Sequence, residues 1–301
     1  MTDLTRVSPR RVRVILNPAA GQDKPVLGVL NRVLRECGVE WDAWLTRGEG
    51  DAQRLAERAL AEGADVVAVY GGDGTVAEVA HVLVDTRVPL AILPGGTANV
   101  LAMDLGIPAD LTAACALACG VGARARSLDV GALGARRFVI ALSVGWAAHM
   151  VAGAHRANKE KLGLMAYVLS GILAVRDMRA TTYQLTLDGA EVEINGVTCI
   201  VANVAGLGQP GVALAGGAVP DDGFLDVFVI RGPDPGALYD LASSILMGAP
   251  AGDGLARWQA RNIRIATEPL QIVQIDGELL DAQPVEIRVL PGALRVIVPE
   301  A

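Results

Sequence analysis

The sequence predicts an α/β domain with a parallel sheet, followed by a mainly antiparallel β domain. Two observations support the α/β domain: apolar strand-like segments alternate with helical patterns as far as residue 121, and glycine-rich turns join several of them. Beyond Ser127, the strand-like segments follow one another with glycine-rich turns between them. A length of 301 residues agrees with two domains, and we place the boundary near residue 127.

The first part of the chain contains four predicted strands that are separated by helices. Each strand is a short apolar, often β-branched run, and the helices have apolar residues at helical spacing. Asp51 is the expected N-cap of the second helix. Strands joined through helices are expected to be parallel, with helices on both faces of the sheet. The predicted strands are Arg11–Leu16, Val39–Leu45, Val66–Tyr70 and Leu90–Leu93, and the predicted helices are Pro25–Cys37, Asp51–Glu62, Val76–Leu83, a segment from Val100, and Leu111–Val121.

The second part of the chain contains nine predicted strands and one helical pattern, Met165–Arg176. Short runs bounded by glycine-rich turns are typical of antiparallel sheets. The predicted strands are Leu128–Gly131, Arg137–Val144, Thr182–Leu187, Glu191–Ala202, Leu225–Ile230, Asn262–Ala266, Leu270–Ile275, Val285–Leu290 and Leu294–Val298.

The composition excludes several classes of protein. Hydrophobic residues make up 52% of the chain and charged residues 20%, which indicates a substantial core and excludes disorder. The net charge of -7 and the lack of a basic tract exclude nucleic acid as a partner. Four cysteines, at positions 37, 115, 119 and 199, are expected to be free thiols of a cytoplasmic protein. The polar segment Met1–Arg11 is not a signal peptide.

The sequence contains three uncharged stretches, and none of them is expected to cross a bilayer. Leu162–Val175 is too short, and Phe138–Ala154 and Ile194–Pro220 are interrupted by glycine or proline. Leu162–Val175 is a candidate lipid-facing helix, with an ordinary core helix as the alternative. We expect peripheral contact with a membrane through apolar segments.

Two glycine-rich turns give the first indication of function. Gly71-Gly72-Asp73-Gly74-Thr75 follows one buried strand, and Pro94-Gly95-Gly96-Thr97-Ala98-Asn99 follows the next. A strand, a glycine turn and a helix direct backbone N–H groups at an anion, although a purely structural turn is the alternative. Both turns would meet at the carboxyl edge of the sheet, where such folds bind ligands. The carboxylate of Asp73 implies that a cation or a transferable proton is also present.

Further motifs complete a series that runs along nearly the whole chain. The series consists of Asn17-Pro18-Ala19-Ala20-Gly21, Gly71–Thr75, Pro94–Asn99, Leu128-Asp129-Val130-Gly131, Asp221–Val227, Asp276-Gly277-Glu278 and the closing segment Pro291–Pro299. This series resembles the diacylglycerol kinase catalytic-domain family, which also includes sphingosine kinases, ceramide kinases and bacterial lipid kinases. The Gly-Gly-Asp-Gly-Thr element alone is shared with NAD kinases, whereas the full series is specific to the lipid-kinase group.

The resemblance implies a fold and an activity. Residues 1–127 would form the nucleotide-binding α/β domain, and residues 128–291 a β-sandwich that binds the lipid and closes a cleft against it. The last strand, about residues 292–301, would return to the first domain. The implied reaction transfers a phosphoryl group from ATP, with Mg²⁺, to the hydroxyl group of a diacylglycerol-like or sphingoid-like lipid alcohol.

The resemblance also implies roles for individual residues. Asp276 and Glu278 would supply the general base, and Asp73 would serve the Mg²⁺ of the triphosphate or orient a water molecule on it. Asp222, with backbone groups of Val219 and Phe224, would bind magnesium. The residues expected to contact ATP are Asn17, Pro18, Ala19, Ala20, Gly21, Thr46, Gly71, Gly72, Asp73, Gly74, Thr75, Thr97 and Asn99.

These residue types suit the chemistry of phosphoryl transfer, although some have simpler interpretations. Phosphoryl transfer needs positioning and charge neutralisation, which backbone N–H groups and Mg²⁺ held by carboxylate oxygens provide. A carboxylate can also accept the proton of an attacking hydroxyl group. Asp276-Gly277 and Asp222-Gly223 are alternatively hairpin or loop turns, and Thr46 is the weakest of the nucleotide-contact assignments.

One departure from the family pattern leaves the substrate open. Many relatives have an acidic residue directly after the position of Asn99, whereas this chain has Val100, and its next carboxylate is Asp104. The alternatives to a lipid kinase are an NAD kinase and a non-catalytic nucleotide or lipid sensor. The oligomeric state is open, and a homodimer is one alternative.

Overall fold

A computed structural model describes residues 5–6, 8–21, 25–145, 180–204, 206–209, 212–213, 217–232, 252–280 and 283–300. The chain divides into two units. The first consists of Met1–Val130 and Pro291–Ala301, and the second of Gly131–Leu290.

The first unit alternates strands with helices, as the sequence predicts. The strands are β1 (Thr5–Arg6), β2 (Arg11–Leu16), β3 (Glu40–Leu45), β4 (Val66–Gly71), β5 (Leu90–Pro94) and β6 (Ala123–Leu133), whose last three residues belong to the second unit. The helices are α1 (Val26–Glu36), α2 (Asp51–Ala61), α3 (Asp73–Leu83), α4 (Val100–Asp104) and α5 (Leu111–Ala118).

The sheet of the first unit is parallel in the order β3-β2-β4-β5. All six residues of β4 and all five of β5 are buried, as expected for strands of a parallel sheet that is covered on both faces. The chain passes outward from β2 to β3 and then back across β2 to β4. Because such crossovers are right-handed, α1 and α2 lie on opposite faces. In agreement, α2 packs against α3, and α1 packs against α5.

The second unit is antiparallel. Its strands are β7 (Arg136–Phe138), β8 (Ala141–Gly145), β9 (Thr181–Leu187), β10 (Ala190–Gly196), β11 (Thr198–Ala202), β12 (Gly206–Gln209), β13 (Val212–Ala213), β14 (Leu225–Ile230), β15 (Leu255–Ala260), β16 (Asn262–Glu268), β17 (Val273–Ile275), β18 (Glu278–Leu280) and the first part of β19 (Val285–Pro299). A short 3₁₀ turn spans Gly252–Gly254.

Two sheets of this unit face each other across one core. One has the order β15-β14-β11-β8-β17-β18, and the other pairs β10, β9, β16 and the start of β19. Alternate residues of both sheets, such as Val227 and Ile265, contribute to one buried cluster. The hydroxyl of Tyr183, on β9, donates to the carbonyl of Val144, on β8, at 3.1 Å. The predicted α/β and β-sandwich fold classes are therefore confirmed.

The structure splits two of the predicted strands and joins two others. Arg137–Val144 is split into β7 and β8, because the N–H groups of Val139, Ile140 and Ala141 bind a carboxylate from a turn that is distant in sequence. Glu191–Ala202 is split into β10 and β11, which pair in different sheets. The segments Val285–Leu290 and Leu294–Val298 instead form one continuous strand, β19.

The continuity of β19 depends on Gly292, which has a φ of +60°. Its N–H donates to the carboxylate of buried Asp129, on β6, at 2.7 Å. Beyond this point, β19 lies parallel to β5 through the pair Val296 and Leu90. The last strand thus adds a fifth parallel strand to the sheet of the first unit.

Helix ends also differ from the sequence prediction. Gly50, with a left-handed φ of 77°, is the N-cap of α2, so the prediction of Asp51 as the cap was wrong. Asp51 is instead the first helical residue, and its carboxylate accepts from the N–H of Arg47 at 2.7 Å. The side chain of Arg54 donates a second hydrogen bond to this carboxylate, at 2.8 Å. The bond from Arg54, and after it the bond from Arg47, lower the pKa of Asp51.

No helix among the described residues is long and apolar enough to span a membrane. The predicted helix Met165–Arg176 and the candidate lipid-facing segment Leu162–Val175 lie outside the described residues.

The turn between β9 and β10 generates a prediction about pH dependence. Asp188 has a φ of +49°, and its carboxylate accepts from the N–H groups of Arg261 at 3.0 Å and Asn262 at 2.8 Å. These bonds lower the pKa of Asp188, and the bond from Arg261 has the largest effect. Because the pKa is depressed in the folded state, the stabilisation is present above the unfolded pKa of about 3.9 and is lost as the pH falls through the folded value.

We expect Asp188→Asn to lower the free energy of unfolding by about 1 kcal/mol at pH 7, and by less as the pH approaches 3. Denaturant unfolding at both pH values measures this difference. Asp85→Asn is the matched control, since Asp85 also has a positive φ, +60°, and its carboxylate has no hydrogen-bond partner among the described residues. Equal effects of the two substitutions at pH 7 would contradict the prediction.

Candidate active site

Four parallel strands of the first unit end at the same edge of its sheet, and each is followed by residues that the sequence assigns to ATP. Asn17–Gly21 follows β2, Thr46 follows β3, Gly71–Thr75 begins at the last residue of β4, and Thr97 and Asn99 follow β5. The structure therefore brings these residues to one edge, as open α/β sheets do with their ligand sites.

The first turn is organised by Asn17. Its main-chain N–H donates to the carbonyl of Tyr70 at 2.8 Å, and its side-chain oxygen accepts from the N–H of Ala19 at 3.0 Å. The side-chain amide then donates to the hydroxyl of Thr75 at 2.9 Å. Asn17 thus closes its own turn, as expected of asparagine in turns, and also joins that turn to the start of α3.

The second and third turns approach each other closely through glycine. A Cβ added to Gly96 would lie 2.5 Å from the Cα of Gly72, and one added to Gly71 would lie 2.7 Å from the Cβ of Thr75. The N–H of Gly95 donates to the carbonyl of Gly71 at 3.0 Å. Gly96 is therefore required by the packing of one turn against the other, and Gly71 by the packing of Thr75 within its own turn.

Asn99 fixes the shape of the third turn. Its side-chain oxygen accepts from the N–H of Gly96 at 2.9 Å, and its amide donates to the carbonyl of the same residue at 2.7 Å. The backbone of Asn99 is left-handed, with φ 47° and ψ 48°, a conformation that asparagine tolerates better than most residues. Thr97, at the tip of this turn, is exposed.

The N-terminus of α3 carries the features of an anion site. Its N-cap is Gly72, which makes no side-chain cap, so the first N–H groups of the helix lack the usual side-chain partner. Gly74 lies in the first turn of this helix, and no atom of the described residues outside that helix and the chain neighbours lies within 4 Å of a Cβ placed on it. Unlike Gly71 and Gly96, Gly74 is not required by packing.

Two further residues complete this edge. The main-chain N–H of Thr46 donates to the carbonyl of Leu16 at 2.9 Å, and Thr46 is buried. The carboxylate of Glu78, on α3, accepts from the N–H of Ala52, on α2, at 3.1 Å. Sequence reasoning missed this contact, because the partners are 26 residues apart and nothing in the local pattern relates them.

In the second unit, Asp276 and Gly277 form the two-residue turn between β17 and β18, and both have a positive φ. The structure therefore confirms that this motif forms a hairpin turn. The Asp276 carboxylate accepts from the N–H groups of Val139 at 2.9 Å, Ile140 at 3.1 Å and Ala141 at 3.0 Å. One of its oxygens, Oδ1, receives two of these three bonds.

Glu278 begins β18 on the other side of this turn. It forms an ion pair with Arg136 at 3.1 Å, and both side chains are more than half exposed. An exposed pair of this kind contributes little to stability, so Glu278 is held less firmly than Asp276.

Asp222 lies in the loop before β14. One carboxylate oxygen accepts from the N–H of Phe224 at 2.9 Å, and the other accepts from the amide of Gln259 at 3.1 Å. Each oxygen keeps a further lone pair for a cation. Among the described residues, no group of three or more His, Cys, Asp or Glu side chains could hold a metal ion. A cation here would therefore depend on one carboxylate, main-chain carbonyls and water.

The segments that carry Asp222 and Asp276 adjoin different strands of one sheet. Residues Asp226, Ala202 and Ala141 pair in one row across β14, β11 and β8, and the N–H of Asp276 donates to the carbonyl of Ala141. Three strand spacings separate β14 from β17, which is roughly 14 Å.

A parallel α/β unit with glycine turns at its carboxyl edge, followed by an antiparallel two-sheet unit, defines a class of two-unit phosphate-handling enzymes. The family model of the diacylglycerol kinase catalytic domain matches residues 11–133. The model of the YegS C-terminal NAD kinase beta sandwich-like domain matches residues 141–298.

Individual relatives agree with these matches. A Pseudomonas aeruginosa protein named "probable lipid kinase YegS-like" is 33% identical, over 88% of this chain and 87% of that protein. A Synechocystis protein, sll0036, is 30% identical over 81% of this chain, which spans 57% of that protein's length. A crystal structure described as a diacylglycerol kinase from Bacillus anthracis has a TM-score of 0.80 at 28% identity, and covers 97% of this chain and 98% of its own. The chain belongs to the diacylglycerol kinase catalytic-domain family, in its YegS-like group, and is an enzyme of the lipid-kinase type.

The Asn99 contacts generate a prediction about the third turn. We expect Asn99→Ala to lower the free energy of unfolding by about 2 kcal/mol, because it removes two hydrogen bonds and disfavours the left-handed backbone. Asn99→Gly removes the same bonds but tolerates the backbone, so it should cost less. Urea unfolding of the wild type, Asn99→Ala and Asn99→Gly measures the contribution of the hydrogen bonds and that of the left-handed backbone. A variant Asn99→Ala as stable as the wild type would show that the side chain does not hold the turn.

Proposed function

We propose that this enzyme transfers the γ-phosphoryl group of ATP to the hydroxyl group of a lipid alcohol, and that the turns of the first unit bind the nucleotide. The names of the relatives support a lipid kinase. The observation that carries the nucleotide assignment is Gly74, in the first turn of α3.

Gly74 supports a ligand because it combines open space for a Cβ with a position at the start of a helix that has no side-chain cap. A glycine in a helix costs about 1 kcal/mol relative to alanine, and at Gly74 the space for a Cβ is open. A phosphate group that approaches the uncapped N–H groups of α3 would occupy that space. Glycine at this position therefore suits a backbone that must contact an anion.

Asp73 is the proposed partner of the cation that accompanies the nucleotide. It is the first residue of α3, next to the N–H groups assigned to the phosphates. Bound Mg²⁺ would neutralise the charge of the phosphates during transfer. Asp222, with carbonyl groups of Val219 and Phe224, has the oxygen ligands for a separate ion.

Asp276 is the proposed general base. Three main-chain N–H groups hold its carboxylate in one orientation, and preorganisation of this kind favours proton transfer in a fixed geometry. A carboxylate that is held in this way can accept the proton of a substrate hydroxyl group. Glu278 has an ordinary exposed ion pair, so we assign it a supporting role.

The lipid alcohol is the proposed substrate of the second unit, with diacylglycerol-like and sphingoid-like alcohols as the two classes. Contact with a bilayer follows, since such lipids reside there. Leu270 is 78% exposed and Leu279 50% exposed in this unit, and they could enter the interfacial region of a membrane.

The proposed reaction is tested by incubating the purified protein with radiolabelled ATP, Mg²⁺ and mixed vesicles that contain a panel of lipid alcohols. We expect one lipid class to be phosphorylated, with the product identified by its mass. Asp73→Asn and Asp276→Asn should each reduce turnover at least about 100-fold, whereas Glu278→Gln should reduce it less. Phosphorylation of NAD instead of a lipid would favour the NAD kinase alternative.

The stability of these variants must be measured beside their activity. Asp276→Asn keeps one carbonyl oxygen as an acceptor, so the turn of Val139–Ala141 is expected to remain largely bonded. Loss of turnover with a preserved melting temperature supports the role of Asp276 as base. Turnover that survives both Asp73→Asn and Asp276→Asn would overturn the proposed mechanism.

The substitution Gly74→Ala tests whether this residue serves ATP binding and not the stability of the fold. We expect this variant to be as stable as the wild type or more stable, by up to about 1 kcal/mol, yet to lose most of its affinity for ATP. Gly28→Ala is the matched control, because Gly28 also lies in a helix, α1, with open space around it. It should gain stability without a change in affinity. Isothermal titration with ATP and Mg²⁺ measures both variants, and unchanged affinity of Gly74→Ala would contradict the assignment of this turn to the phosphates.

A further inference from the structure

Tyr70 carries a hydroxyl group that the fold does not use. It lies near the end of β4, one residue before Gly71, and is 2% exposed. The hydroxyl oxygen is closed off from solvent and has no hydrogen-bond partner among the described residues. A buried hydroxyl without a partner is costly, and phenylalanine would fill the same space without that cost.

A second buried tyrosine in the described part of the chain, Tyr183, shows the usual arrangement. The hydroxyl of Tyr183 is also buried, but it donates to the carbonyl of Val144 at 3.1 Å. Buried polar groups are nearly always paired in this way. Tyr70 is therefore an exception that calls for a partner outside the described part of the protein.

The surroundings of Tyr70 indicate what that partner is. A Cβ added to Gly21 would overlap the Tyr70 hydroxyl, and one added to Gly95 would lie 2.9 Å from the ring carbon that bears it. The side chain thus lies beneath the first and third turns of the nucleotide edge. Burial raises the pKa of Tyr70, so the hydroxyl keeps its proton and acts as a donor. A hydrogen-bond donor beneath turns that bind an anion suits a phosphate oxygen.

Among the described residues, Gly21 lies directly beside this hydroxyl. Gly21 has a φ of +61° and no side chain, and the turn to which it belongs is anchored at its other end, by the bonds of Asn17. A displacement of Gly21 would therefore uncover the hydroxyl without breaking those bonds.

We propose that Tyr70 binds a phosphate group of the nucleotide: when ATP enters, Gly21 moves aside and the Tyr70 hydroxyl donates a hydrogen bond to a phosphate oxygen. This inference rests on the proposed nucleotide site and adds a residue that the family motifs do not include. It also couples the position of the Asn17–Gly21 turn to occupancy of the site.

The test compares Tyr70→Phe with Tyr183→Phe. We expect Tyr70→Phe to melt at the temperature of the wild type or above it without nucleotide, because it removes an unpaired polar group. Its affinity for ATP with Mg²⁺ should fall about tenfold, the effect of one hydrogen bond to a charged group. The KM for ATP should rise by a similar factor while kcat changes little. Tyr183→Phe should behave in the opposite way, with a lower melting temperature and unchanged affinity.

The outcomes separate this inference from the proposed function. If the wild type binds ATP and Tyr70→Phe binds it equally well, the inference is overturned while the nucleotide site stands. If the wild type binds no ATP, the proposed function falls and the inference with it. A Tyr70→Phe variant that melts several degrees lower without nucleotide would show that the hydroxyl already has a structural partner, which also overturns the inference.

Discussion

The turns of the first unit depend on how closely the backbones of Gly72 and Gly96 approach each other. Neighbouring strands lie about 4.8 Å apart, so the turns that leave β4 and β5 run side by side. A Cβ on Gly96 would lie 2.5 Å from the Cα of Gly72, so only glycine at position 96 permits this contact. Once the two backbones meet, Thr75 can pack against Gly71, and Asn99 can bond both main-chain groups of Gly96. One steric constraint therefore sets the shape of two turns and the start of α3.

Much of this edge could be predicted from the sequence, because its information is local. The strands β2, β4 and β5 are short apolar runs, and the turns that follow them carry glycine and asparagine. Parallel pairing then places Asn17, Thr46, Gly71 and Asn99 at one edge by topology alone. The Asn17 side chain also bonds its own turn, as the pattern predicts. The fold class of both units follows from the same alternation of apolar and polar residues.

The features that could not be predicted depend on contacts between distant parts of the chain. Nothing near Val139 indicates that a carboxylate 137 residues away interrupts the strand there. The continuity of β19 through Pro291 and Gly292 likewise depends on Asp129, more than 160 residues earlier. The Asp276 hairpin is ambiguous for a different reason. An Asp-Gly pair is typical of a tight turn, and an aspartate is also a candidate general base, so the sequence alone cannot distinguish the two roles. Only the geometry shows that this side chain binds the N–H groups of Val139, Ile140 and Ala141.

The residues of the edge that we propose for the nucleotide fall into two groups. Gly71, Gly95 and Gly96 are explained by packing, so they would be present even in a protein that bound nothing. Gly74 and Tyr70 are not explained in this way. Glycine in a helix costs about 1 kcal/mol, and an unpaired buried hydroxyl costs about 1–3 kcal/mol; the unliganded fold recovers neither. Costs of this kind are common where a protein sacrifices stability for function. Because both residues border the same three turns, one bound anion can account for both, which structural turns alone cannot do.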